Sequence, residues 1–187
     1  YFFSLSKNDS AFYYYLKSEK KFNRKKDKSS LAEAILHKAY ILLFEKDFVG
    51  SESETIKVLN IAKDLKNNSL IYECYINLGS SLSGLGNYEK ALEYYQKSLV
   101  QIKNIEDENY KPIFQAQSLN NIGYVYLTIN KFKEASEILQ EGLKIKNIEE
   151  IQPVLYTALL DNYAFSRFKI NPNEGLNYFK KALAIRD

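Results

Sequence analysis

A pattern of small and large residues that returns every 40 or 44 positions constrains this chain more than any other feature. Ala91, Tyr95 and Ser98 form a small–large–small triplet with steps of four and three. The triplet returns as Ala11/Tyr15/Ser18, Ser51/Thr55/Val58, Ala135/Leu139/Gly142 and Gly175/Phe179/Ala182, so its first members lie 40, 40, 44 and 40 residues apart. An aromatic residue stands three positions before it at Phe48, Tyr88 and Phe132. Leu78-Gly79 returns 44 residues on as Ile122-Gly123, and Ala39 and Tyr163 hold the register of Gly79. Steps of three and four place side chains on one face of a helix. A fixed period in this range predicts stacked helical hairpins, because one hairpin cannot bury its apolar stripe alone.

The stretch from Tyr72 to Lys103 shows how one unit is built. Tyr75, Leu78, Leu82 and Leu85 form one stripe, and Ala91, Leu92, Tyr95, Leu99 and Ile102 form a second. Gly86-Asn87 separates them: glycine permits an unusual backbone angle and asparagine is a favoured N-cap. The pattern predicts an all-α fold, a right-handed α-α superhelix with nine substantial helices. Their expected spans are about 9–22, 31–45, 47–65, the two helices of 72–103, 116–129, 131–145, 153–170 and 172–185. The implied units are 1–28 (truncated), 29–66, 67–105, 112–147 and 152–187. Residues 23–30, NRKKDKSS, read as a basic linker, and 104–111 as the loop that carries the four extra residues of the 44-residue period. Pro172 fits the first helical position, with Asn171 as cap and Glu174 completing an arrangement like a capping box.

Composition narrows the function classes. Only 3 prolines fall among 187 residues, as long helices require. The net charge of +3 is too small to argue for a nucleic-acid partner. No stretch nears the roughly 18 consecutive apolar residues of a membrane span. One cysteine and one histidine cannot make the usual zinc site. Phosphate-loop, dinucleotide-fingerprint, HExxH and GxSxG motifs are absent, so neither a cofactor nor a catalytic site is expected. His37 reads as a surface or packing residue. Glu106-Asp107-Glu108 lacks the spacing of a calcium loop. The cations at Lys17, Lys20, Lys21 and 23–30 read as a solvated helix end. Tyr13, Tyr14 and Tyr15 cannot all face inward, since consecutive helical residues point in different directions.

Tyr75, Leu78, Gly79, Tyr88, Ala91, Tyr95 and Ser98 resemble the tetratricopeptide repeat pattern. The likeness extends over 75–103 and 119–146, and more loosely over 35–63 and 159–186. The period of 40 exceeds the family's usual ~34, which implies helices about one turn longer. The resemblance implies that the first helix of each hairpin lines a concave face that binds a protein or peptide. The candidates it selects are Glu33, Leu36, His37, Tyr40 and Phe44; Glu73, Ile76, Asn77, Ser80 and Ser83; Gln117, Asn120, Asn121, Tyr124 and Leu127; and Thr157, Leu160, Asp161, Ala164 and Arg167. The side-chain amides of Asn120 and Asn121 suit a peptide backbone. Arrays that clamp a C-terminal carboxylate use several basic groove residues, and only Arg167 answers that description here.

Residues 159–187 and 48–59 are also similar to the repeat region of bacterial sensor histidine kinases. That resemblance implies the sensory part of a two-component signalling protein, periplasmic, with a kinase module beyond Asp187. Free-standing adaptors and response-regulator transcription factors carry the same repeats, and those would be cytoplasmic. Tyr1-Phe2-Phe3 begins in mid-unit, and the last helix keeps Leu176, Phe179, Ala182, Leu183 and Ile185 apolar. A further helix after Asp187 and self-association through the terminal helices are therefore expected.

Overall fold

The computed structural model describes the backbone from Leu5 to Arg186 and the side chains from Ser10 to Ile185. Tyr1, Phe2 and Phe3 lie outside the described residues. All regular elements among the described residues are helical: α1 (Leu5–Lys25), α2 (Lys28–Phe44), α3 (Phe48–Asp64), α4 (Asn68–Gly84), α5 (Tyr88–Gln101), α6 (Lys111–Thr128), α7 (Phe132–Leu143), a four-residue α8 (Ile148–Ile151), α9 (Pro153–Ile170) and α10 (Pro172–Arg186). A single 3-10 turn, Ile102–Asn104, follows α5. The nine long helices match the expected number. The basic segment 23–30 is not a linker: α1 runs on to Lys25 and α2 begins at Lys28.

The turns explain why the helices are so uniform. Lys26, Lys46, Lys66 and Gly86 all adopt positive φ, at 58°, 64°, 53° and 77°, and they are spaced 20 residues apart. Each sits just past a helix, and each carries the paired closing bonds of a Schellman motif. At Lys46, for example, its own N–H donates to the Leu43 carbonyl at 3.1 Å and the Asp47 N–H donates to the Leu42 carbonyl at 2.9 Å. The next residue then caps the following helix. Asp27, Asp47, Asn67 and Asn87 accept from the N–H groups of Ser30 (3.2 Å), Gly50 (2.9 Å), Leu70 (3.0 Å) and Lys90 (3.4 Å). One residue closes a helix and its neighbour opens the next, so α2, α3 and α4 are each 17 residues long. Asn130 repeats the closing turn with φ 60°.

The chain divides into two compact units, 1–97 and 98–187. In the first, the core is Ala32, Ile35, Leu36, Val58, Leu59, Ala62, Leu70, Ile71, Cys74 and Leu78. The repeating small residues allow close helix approach: a Cβ placed on Gly79 would lie 2.5–2.8 Å from the Tyr95 ring. α1 packs on α2 and α2 on α3. Lys38 is buried where these helices meet. Its Nζ lies 2.6 Å from Glu19 of α1 and 3.0 Å from Glu54 of α3. Burial disfavours the Lys38 ammonium, but the hydrogen bonds from Glu19 and Glu54 outweigh it and raise its pKa. Glu54 is likewise disfavoured by burial, yet the bonds from Lys57 and Lys38 hold its carboxyl below the ordinary value.

The core of the second unit is Ala116, Leu127, Ala135, Leu139, Ile148, Tyr156, Leu159, Leu160, Tyr163 and Ala182. Gly123 repeats the close approach, with Leu139 side-chain atoms 2.4–3.0 Å from where its Cβ would stand. Ile148 of the short α8 is 1% exposed and belongs to this core. A short helical turn thus separates α7 from α9, within the 40-residue step from Ala135 to Gly175. On α10, Ala182 is fully buried, whereas Leu176 and Leu183 are 48% and 58% exposed.

Candidate binding surface

The candidates of the first unit sit on α2 and α4. Tyr40 is half-buried and donates its hydroxyl to Glu73 Oε2 at 2.9 Å, joining the two helices. Burial raises the Tyr40 phenol above its ordinary pKa, and Glu73 adds to the effect. Glu73 is itself pushed up by burial, against the opposing pull of the Tyr40 bond and of His37. His37 is exposed on the same face of α2, edge-on to Tyr40 at 6.1 Å and stacked on Tyr15 of α1 at 5.1 Å. Ser80 is half-buried; its hydroxyl donates to the Ile76 carbonyl at 3.0 Å and lies 3.1 Å from the Tyr95 hydroxyl.

Asn77 departs from the expectation that it lines a groove. It is 1% exposed, and its Nδ2 donates to Ser51 Oγ at 3.1 Å and to Thr55 Oγ1 at 2.6 Å. Ser81 Oγ donates to the same Ser51 oxygen at 3.1 Å. The cause lies on α3: where the repeat pattern has alanine, this chain has Ser51. The hydroxyl gives a buried amide a partner that alanine cannot. Asn77 therefore organises the α3–α4 contact and is not offered to a ligand.

In the second unit the candidates sit on α6 and α9. Tyr124 is 56% exposed and Asn121 is half-buried. Asn120 Oδ1 accepts from Asn162 Nδ2 at 3.0 Å, which links the two first helices across one repeat. Asp161 is half-buried. Arg167 is engaged: its Nε donates to Glu174 Oε1 at 3.0 Å and its Nη2 to Oε2, and these bonds raise its already high pKa. Glu174 thereby spends its side chain on Arg167. The Asn171 N–H donates to the Arg167 carbonyl, so the capping box is only half made: Asn171 Oδ1 accepts from the Glu174 N–H at 3.4 Å. A cavity of about 500 Å³ lies beside α8, lined by Leu143, Ile145, Asn147, Ile148, Glu149, Glu150 and Tyr156.

The described residues contain no group of three or more His, Cys, Asp or Glu arranged to hold a metal. No described helix is long and apolar enough to cross a membrane. What the surface offers is rings, amides and carboxylates on the first helices of successive hairpins. That is the chemistry of a helical-repeat scaffold that binds chains.

Comparison with known proteins identifies the repeats. Residues 71–147 match the profile of the tetratricopeptide repeat family, so the hairpins of that stretch are tetratricopeptide repeats. The chain is 27% identical over 172 residues to Response regulator aspartate phosphatase I of Bacillus subtilis, covering 91% of this chain and 42% of that protein. It is 26% identical over 166 residues to Outer dynein arm-docking complex subunit 4 of Danio rerio, covering 76% of this chain and 33% of that protein. The chain thus spans well under half the length of these curated relatives. Among solved structures, the apo form of RapI superimposes with a TM-score of 0.78 at 26% identity, over 96% of this chain and 49% of that one. A Rap protein complexed with Competence and Sporulation Factor shares the fold with a TM-score of 0.81 at 16% identity, over 96% of this chain and 50% of that one.

Proposed function

We propose that this chain is the protein- or peptide-binding repeat region of a bacterial signal-transduction protein, and that it acts by binding. The observation that carries the reading is the likeness to Response regulator aspartate phosphatase I over 91% of the chain. That name belongs to response-regulator signalling, as does the two-component context implied by the histidine-kinase resemblance of 48–59 and 159–187. The Rap fold is known with Competence and Sporulation Factor in complex, so a ligand on this architecture has a structural precedent. Within each unit the first helices are the surface that meets the partner: α2 and α4 in the first, α6 and α9 in the second. Exposed Leu176 and Leu183 on α10 support packing of that helix against a neighbour, a second copy of the chain included.

The test begins with peptides selected from a random library on the immobilised chain and measured in solution by fluorescence anisotropy. Saturable binding is expected. The double variant Asn121→Ala/Tyr124→Ala should weaken it at least tenfold. Tyr124 is exposed and Asn121 half-buried, so the loss of stability should stay within about 1 kcal/mol. Absence of any saturable peptide ligand would overturn the proposal, and undiminished binding by the double variant would remove α6 from the surface.

A further inference from the structure

The first unit collects an acidic and aromatic cluster on its first helices. Glu73 on α4 accepts the Tyr40 hydroxyl at 2.9 Å through one carboxylate oxygen. Tyr40 meets the edge of His37 at 6.1 Å, and the His37 ring lies nearly parallel to Tyr15, 5.1 Å away and inclined by 21°. Glu33 stands one turn before His37 on the same face of α2, exposed, and close enough to raise the Glu73 pKa by repulsion. Three helices thus converge on one spot.

The balance of charge there is uneven. Among the described residues, no lysine or arginine pairs with Glu73 or Glu33. The nearest cation on α2, Lys38, is buried and already holds Glu19 and Glu54. A carboxylate half-removed from water with only the His37 imidazole as a basic neighbour is unfavourable, and burial, the largest effect on Glu73, pushes its carboxyl up despite the opposing pull of His37. Ring faces beside such a carboxylate attract a desolvated cation. A guanidinium suits the arrangement better than an ammonium. It is planar, so it can lie against a ring and fork onto a carboxylate together.

We propose that Glu73, Glu33, His37 and Tyr40, backed by Tyr15, form a binding site for an arginine side chain of an extended peptide. This rests on the peptide-binding reading above and fixes one chemical requirement of the ligand. Glu73 supplies the charge, and the Tyr40 hydroxyl occupies only one of its two carboxylate oxygens. His37 supplies a ring face held flat by Tyr15. Tyr40 orients the Glu73 carboxylate and is not itself the attracting group.

The test uses the full chain and three end-blocked pentapeptides, Ala-Gly-X-Gly-Ala, where X is arginine, citrulline or glutamate. Citrulline keeps the shape of arginine and removes its charge. Proton NMR of the His37 and Tyr40 rings reports occupancy. The arginine peptide should shift both rings saturably and bind at least tenfold tighter than the citrulline peptide, with no response to the glutamate peptide. Glu73→Gln preserves the bond from Tyr40 and should erase the arginine–citrulline difference. Equal affinity for the arginine and citrulline peptides, or ring signals that never move, would overturn the site. If library-selected peptides bind but show no preference for arginine, this inference fails while the peptide-binding reading stands; if no peptide of any kind binds, both fail.

Discussion

Replacing Gly79 with alanine sets two effects of known sign against each other. Alanine is favoured over glycine inside a helix by about 1 kcal/mol. Against that, the new methyl would stand 2.5, 2.7 and 2.8 Å from three atoms of the Tyr95 ring. The ring cannot easily give way, because Tyr95 is 3% exposed and its hydroxyl lies 3.1 Å from Ser80. Overfilling a packed site costs about 1–3 kcal/mol, and contact with rigid ring atoms belongs to the upper part of that range. The net expectation is a loss of about 1–2 kcal/mol, or about 2–8 °C in melting temperature for a chain of this size. Thermal unfolding followed by circular dichroism reads the effect. Combining Gly79→Ala with Tyr95→Leu should recover part of the loss, since the two changes share one space. A stabilised Gly79→Ala protein, or strict additivity with Tyr95→Leu, would refute the close approach of α4 and α5.

Lys46 and Lys66 hold a left-handed conformation that disfavours a side chain by about 1–2 kcal/mol, so Lys46→Gly should stabilise the protein by about 0.5–1 kcal/mol after the chain-entropy cost of glycine; urea midpoints check it, and destabilisation would show that the lysine side chain matters there. Glu73 has a raised carboxyl pKa, so the folded state holds its proton more tightly than the unfolded chain. Its contribution to stability is present below the unfolded value and is lost as pH rises through the folded one. Glu73→Gln should therefore be at least as stable as the wild type at neutral pH, and its advantage should vanish below the ordinary carboxylate range. Denaturant titrations across pH would show a constant offset if Glu73 were not the source. Burial first, and Glu73 second, push the Cys74 thiol up to about 12, so a thiol reagent at pH 8 should label it only as fast as the fold opens; immediate labelling would place Cys74 at the surface.

The repeat was legible because it is written in residue size. Small residues at Gly79, Ala91 and Gly123 recur where backbones meet side chains closely, and that spacing predicts helices and hairpins without reference to charge. The closing turns were legible only where glycine or asparagine marks them, at Gly86 and Asn130. Lys26, Lys46 and Lys66 occupy the same conformation, but lysine carries no such signal. The visible clue was the following residue, Asp or Asn every 20 positions. The NRKKDKSS segment misled for that reason, since Lys26-Asp27 is one more closing and capping pair. Asn77 stayed hidden because its role depends on a residue 26 positions earlier, Ser51. Arg167 could not be read as paired, because its partner Glu174 lies across a turn whose geometry decides which group it meets. α8 has four residues, too few to show a periodicity.

The central claim is that the first helices of the hairpins carry the ligand. Hydrogen exchange followed by mass spectrometry, with and without a saturating library-selected peptide, tests it helix by helix. The account predicts added protection in α2, α4, α6 or α9, reaching at least two of them, with α3, α5, α7 and α10 unchanged. Protection confined to the second helices, or to the α8 segment alone, would contradict it.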